Sequence, residues 1–131
     1  MLPPTSSADQ SVPFDDRGLA YGDGLFETVL LRAGKPVLWR YHKERLAQGC
    51  HRLGLPLPCQ EALDATWQGD PTAEFEVLKV VLTRGSGGRG YAQPDQITPR
   101  LLSRRTPFQP SVKRWQEGVT VRLCDLRLAR Q

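Results

Sequence analysis

Between Phe75 and Arg84 the chain runs Phe-Glu-Val-Leu-Lys-Val-Val-Leu-Thr-Arg, and no other stretch constrains the fold as tightly. Successive side chains of a strand point to opposite faces, so Val77 and Val81 fall on one side and Leu78, Val80 and Leu82 on the other. Apolar residues on both faces predict a central strand rather than an edge. Lys79 interrupts the run, which is in any case far shorter than the ~20 apolar residues of a membrane-spanning helix.

The neighbouring segments supply partners for that strand. Phe26–Leu31 reads as a strand, Ala33-Gly34-Lys35 as a turn and Pro36–Trp39 as the returning strand of a hairpin. A helix is expected over Arg40–Leu53, where His42, Leu46, Cys50 and Leu53 recur on one face. Gly54, Pro56 and Pro58 stop it. A shorter helix is expected over Gln60–Gln68, and Thr98–Thr106 is the expected partner of the central strand. Hairpin, two helices, then strands, with no regular βαβ alternation, predict an α+β fold with a mostly antiparallel sheet.

The 131 residues are 39% apolar and 24% charged, an ordinary globular composition. Residues 1–13 read as a loose lead-in, 14–106 as a small α+β domain and 107–117 as a proline-bearing linker. Val119, Val121 and Leu123 alternate as a further strand, and a lone strand cannot form a domain. Residues 118–131 are therefore expected to open a second, truncated domain. The N-terminus lacks the basic and apolar regions of a secretory signal, and three cysteines suit no disulfide framework. A cytoplasmic protein with reduced thiols is the expectation.

Charge is distributed unevenly. The first 83 residues carry a balance of −3 and the remaining 48 a balance of +7, with nine arginines among the ten basic groups of that second part. Arginine's planar fork suits carboxylate and phosphate, so an anionic ligand or a nucleic acid is one reading and an ordinary solvated face the other.

Gly85-Ser86-Gly87-Gly88-Arg89-Gly90 fits G-x-G-x-x-G after a strand. Dinucleotide binding by that motif needs a helix directly behind the glycines and an acidic residue about 20 positions on. Tyr91-Ala92-Gln93-Pro94 cannot start such a helix, and the acidic position falls among arginines, so this reading is rejected. What remains is a flexible hairpin tip, or a loop that closes over an anion. Cys50, His51 and Cys59 could be three metal ligands, but the first two are adjacent on the helix and diverge by about 100°, and no C-x-x-C pair exists, so they read as ordinary core or surface residues. His42 on the apolar face reads as a packed histidine. Arg45, taken alone, reads as a snorkelling surface arginine ahead of a phosphate ligand.

Three segments taken together point further: Asp16-Arg17-Gly18-Leu19-Ala20-Tyr21-Gly22-Asp23-Gly24-Leu25-Phe26-Glu27-Thr28, then His42-x-x-Arg45-Leu46, then Leu82-Thr83-Arg84-Gly85-Ser86-Gly87-Gly88-Arg89-Gly90-Tyr91. In this order they closely resemble the fold-type IV pyridoxal-phosphate enzymes, which include D-amino acid and branched-chain aminotransferases and aminodeoxychorismate lyase. The glycine-arginine third segment most resembles the lyase branch. The resemblance covers about residues 14–130 and the N-terminal half of such an enzyme.

The resemblance implies pyridoxal 5'-phosphate as cofactor, with Arg45 on its phosphate. It implies Arg84 on a substrate carboxylate and Tyr21 and Phe26 lining the substrate side. Arg89 and Tyr91 are expected near the same loop, closing on a dicarboxylate. The implied reaction converts 4-amino-4-deoxychorismate to 4-aminobenzoate and pyruvate in folate biosynthesis, by a homodimer. The family's Schiff-base lysine would follow a strand resembling Val119–Leu128, in a lysine-x-x-asparagine-arginine type segment that this sequence does not contain. None of Lys35, Lys43, Lys79 and Lys113 matches it, no catalytic residue is assigned, and the chain taken alone is expected to be inactive. A D-amino acid or branched-chain aminotransferase is the alternative within the family. A basic nucleic-acid-binding module is the alternative outside it.

Overall fold

The computed structural model describes residues 11–129, so most of the expected lead-in lies outside it, and residues 11–13 are exposed without regular structure. Eight elements follow in order: α1 (Arg17–Tyr21), β1 (Gly24–Arg32), β2 (Lys35–Pro36), α2 (Trp39–Leu53), α3 (Gln60–Ala65), β3 (Phe75–Thr83), β4 (Arg100–Pro107) and α4 (Val112–Glu117). The four strands form one antiparallel sheet in the order β2-β1-β3-β4. The predicted central strand, β3, pairs along its whole length with β1, placing Glu27 opposite Val80 and Thr28 opposite Lys79. Its other edge pairs with β4, placing Lys79 opposite Arg104.

Helices cover one face of this sheet. Val29, Leu31, Leu78 and Val80 form one buried cluster under Trp39 and Trp67. Leu82 joins Leu46 and Cys50 of α2, Leu55 of the following connection and Leu63 of α3 in a second. The Cys50 thiol is pushed above its ordinary value by burial in this cluster. The opposite face, with Phe26, Thr28, Lys79, Val81 and Arg104, is open among the described residues, and Phe26 is 64% exposed. The two-sided apolar pattern of β3 thus marks one face packed by helices and one that holds a shallow depression between Val77, Val81 and Leu102.

Local expectations were corrected in four places. The returning strand over Pro36–Trp39 contracts to Lys35–Pro36, because Leu38 takes a left-handed conformation (φ 57°) and turns the chain into α2 at Trp39. Trp39 Nε1 then donates to Asp64 Oδ1 at 2.7 Å, tying the two helices together. The second helix ends at Ala65 rather than Gln68, where the Thr66 hydroxyl donates to the Leu63 carbonyl at 2.6 Å. The linker contains α4, started by Ser111, whose hydroxyl accepts from Arg114 N. The strand expected over Val119–Leu123 does not form: described residues 118–129 have no regular structure, and Val119, Val121, Leu123, Leu126 and Leu128 are all exposed. A strand exists through its ladder partner, and the described residues offer this segment none.

Candidate functional site

The Asp/Gly-rich segment before β1 folds into α1, which sequence periodicity missed because it is only five residues long. Its signature was nevertheless present: Asp16 as N-cap, and Gly22 left-handed at the other end. Asp16 is fully buried, and its carboxylate accepts from Gly18 N at 2.8 Å, Leu19 N at 3.3 Å and the Thr83 hydroxyl at 2.8 Å. Arg100 of β4 pairs with the same carboxylate. One N-cap thus joins α1 to the ends of both β3 and β4.

Arg17 and Arg84 complete this corner. Each donates Nε to Asp23 Oδ2 at 2.9 Å, and both are 2% exposed. Burial by itself would raise the Asp23 carboxyl, but the hydrogen bonds from Arg84 and Arg17 outweigh it and hold the group below its ordinary value. Arg17 Nη1 also donates to the carbonyls of Gly87 and Gly90, at 3.2 and 3.1 Å, drawing the glycine-rich loop against α1. Its guanidinium lies 4.9 Å from the centre of the Tyr21 ring, and Tyr21 in turn lies 5.6 Å from the Tyr91 ring. Arg84 turns away from that loop and donates to the Leu53 and Gly54 carbonyls at the end of α2, at 2.8 and 3.2 Å.

A second cluster lies where α2 crosses β1. Glu27 points to the helix-covered face and is 4% exposed. Its carboxylate accepts from Arg45 Nε at 2.7 Å, is gripped by Arg45 Nη2 as well, and shares a 2.7 Å hydrogen bond with His42 Nδ1. Against the effect of burial, these partners hold Glu27 below its ordinary carboxylate value, and Glu27 in return holds Arg45 more firmly protonated. The Arg45 side chain remains 69% exposed, so the pair fixes the guanidinium's direction while leaving it accessible.

The sequence profile of the Amino-transferase class IV family matches residues 24–131. The chain belongs to that family. Among curated class IV relatives, the aminodeoxychorismate lyase of Vibrio harveyi is 33% identical over 122 residues, covering 92% of this chain and 45% of the relative. The bifunctional aminodeoxychorismate lyase / D-amino acid transaminase of Mycobacterium tuberculosis is 29% identical over 102 residues, covering 70% and 35%. Among solved structures, the 4-amino-4-deoxychorismate lyase from Pseudomonas aeruginosa superimposes with a TM-score of 0.73 at 42% identity, covering 85% of this chain and 42% of that one. The chain spans under half the length of the curated relatives it matches.

For a class IV aminotransferase chain, the structure distributes the expected site residues over three places. Tyr21, Arg89 and Tyr91 gather at the α1–loop corner, with Arg89 exposed. Arg45 stands at the α2–β1 crossing. Phe26 lies on the open sheet face, where Lys79 Nζ sits 5.0 Å from its ring centre. Arg84 lies just beyond β3, its guanidinium enclosed and engaged by Asp23, Leu53 and Gly54. Sequence reading missed Asp16, Arg17, Asp23 and Glu27 as site-forming residues. Their signal was the three acidic residues, set where they must accept from backbone or arginine, and Arg17 is one of the donors to Asp23.

Proposed function

We propose that this chain is the N-terminal part of a pyridoxal-phosphate-dependent lyase that converts 4-amino-4-deoxychorismate to 4-aminobenzoate and pyruvate. This places it in folate biosynthesis, in the cytoplasm, within a homodimer. The single observation that carries the reading is the 42% identity to a 4-amino-4-deoxychorismate lyase, sustained over 85% of the chain with the same fold.

Arg45 fits a phosphate-bearing cofactor: it is exposed, fully charged and aimed by a buried carboxylate, as bidentate phosphate recognition requires. When bound, pyridoxal phosphate supplies an electron sink for the carbanion character that develops as the ring loses its proton. The chain's own residues bind and orient. Arg45 anchors the phosphate; Tyr21 and Phe26 line the substrate side; Arg89, with Tyr91, meets a carboxylate of the doubly anionic substrate. Arg84 acts as a positioning residue, through Asp23 and the end of α2. In the elimination a ring C–H and the enolpyruvyl C–O bond break, the ring becomes aromatic, and the released enolpyruvate takes up a proton as pyruvate.

A D-amino acid transaminase activity is the second reading, favoured by the bifunctional relative from Mycobacterium tuberculosis. Full-length enzyme given 4-amino-4-deoxychorismate is expected to release 4-aminobenzoate and pyruvate in equal amounts. Glutamate formed from 2-oxoglutarate and a D-amino acid, with no 4-aminobenzoate, would overturn the lyase reading. A nucleic-acid module has less support, because Arg84 and Arg100 are paired inside the fold with Asp23 and Asp16.

A further inference from the structure

We infer that Arg17 is a positioning residue that sets the conformation of the glycine-rich loop, and through it the placement of Arg89 and Tyr91. The inference rests on the reading above, in which those loop residues meet the substrate. Gly85, Gly87, Gly88 and Gly90 all have positive φ, so this backbone has little conformational preference of its own. Something outside the loop must hold it, and Arg17 is built to do so.

The guanidinium is 3% exposed and is fixed from two sides before it reaches the loop: Asp23 holds its Nε, and the Tyr21 ring lies across its face. The remaining edge donates to the carbonyls of Gly87 and Gly90, which bracket Arg89. Arg17 N adds a 2.8 Å bond to the Gly85 carbonyl at the loop's start. Three backbone acceptors of one six-residue stretch are therefore bound by a single residue. The loop lies so close that a methyl group on Gly88 would come within 3.0 Å of Arg17 Nη1. Tyr21 extends the same connection, since it touches Arg17 on one side and Tyr91 on the other. Lysine at this position would keep the charge but could not bridge Asp23 and two carbonyls at once.

The test is Arg17→Lys in full-length, cofactor-loaded enzyme. Amide exchange over residues 85–91 is expected to quicken at least about tenfold, with β1 and β3 unchanged. KM for 4-amino-4-deoxychorismate is expected to rise about tenfold, with kcat within about threefold and the cofactor's visible absorption unchanged. Unaltered loop exchange, or faster exchange with unaltered KM, would overturn the inference; so would a loss of protection spread evenly over the sheet.

Should Arg17→Lys not fold, Gly88→Ala against Gly90→Ala decides. Both carry left-handed backbone, but the first methyl meets Arg17 Nη1 and the Ala92 carbonyl, whereas the second meets nothing within 4 Å. Gly88→Ala is expected to raise KM at least about fivefold more than Gly90→Ala, and equal effects would overturn the inference. A wild-type enzyme that does not turn over this substrate would defeat the lyase reading alone, and loop exchange would still decide whether Arg17 holds the loop.

Discussion

Two arginines that look alike in sequence, Arg84 and Arg45, occupy opposite situations in the fold. Arg84 is 2% exposed, and its donors end on Asp23 and on the carbonyls that close α2. Arg45 also holds a buried carboxylate, Glu27, yet keeps more than two thirds of its side chain in solvent. The difference lies in which partner is buried. Just beyond β3 the arginine itself is enclosed, between a half-buried carboxylate and two backbone carbonyls, and is consumed by the frame. At the α2–β1 crossing only the carboxylate is enclosed, and the arginine is aimed outward. The second arrangement leaves a guanidinium accessible to solvent and the first does not.

Replacing Arg84 is the severest way to test this contrast. Arg84→Ala leaves a half-buried Asp23 with Arg17 alone and strands two helix-end carbonyls, so a loss of about 2–4 kcal/mol is expected in denaturant unfolding. A loss below about 1 kcal/mol, typical of exposed pairs, would erase the distinction. Arg45→Ala shifts the loss toward the ligand. It leaves the buried Glu27 with His42 as its side-chain partner, so about 1–3 kcal/mol is expected to go in unfolding, while full-length enzyme loses cofactor at least about tenfold more readily, as measured by dialysis and absorbance. Wild-type cofactor retention would remove Arg45 from the phosphate.

The smallest effect expected is on pH dependence. Glu27 titrates below its ordinary 4.5 in the folded chain, so the unfolded chain binds its proton first as pH falls. Its contribution to stability is complete above pH 4.5 and is lost as pH drops through the depressed folded value. Glu27→Gln should therefore flatten the acid limb of the stability curve below pH 4.5. Asp23, whose ordinary value is 3.8, keeps its own contribution in that variant and loses it at lower pH. An acid limb unchanged by Glu27→Gln would show that the crossing contributes no proton-linked stability.

What the sequence revealed and concealed follows the same division between local pattern and distant pairing. β3 was legible because Val77 to Leu82 carry their burial in their own alternation, and α2 because Leu46 and Cys50 recur on one face. The family was legible from three ordered motifs. The enclosure of Arg84 was not, since it depends on Asp23, 61 positions away, and on the end of a helix 30 positions away. The strand expected near Val119 failed for a related reason: alternation states which side chains share a face, but not whether a neighbouring strand is present.

The clasp of Arg84 on α2 has a consequence for motion. Terminal helix carbonyls ordinarily lack partners, and helix ends fray on their own. Here the carbonyls of Leu53 and Gly54 are held by a buried residue that directly follows β3. The last turn of α2 cannot loosen without also releasing the head of the sheet, so the two should open as one cooperative unit. Their amides would then exchange with a single shared free energy of opening, well above that of a free helix end, and the wall behind Asp23 would breathe as a block.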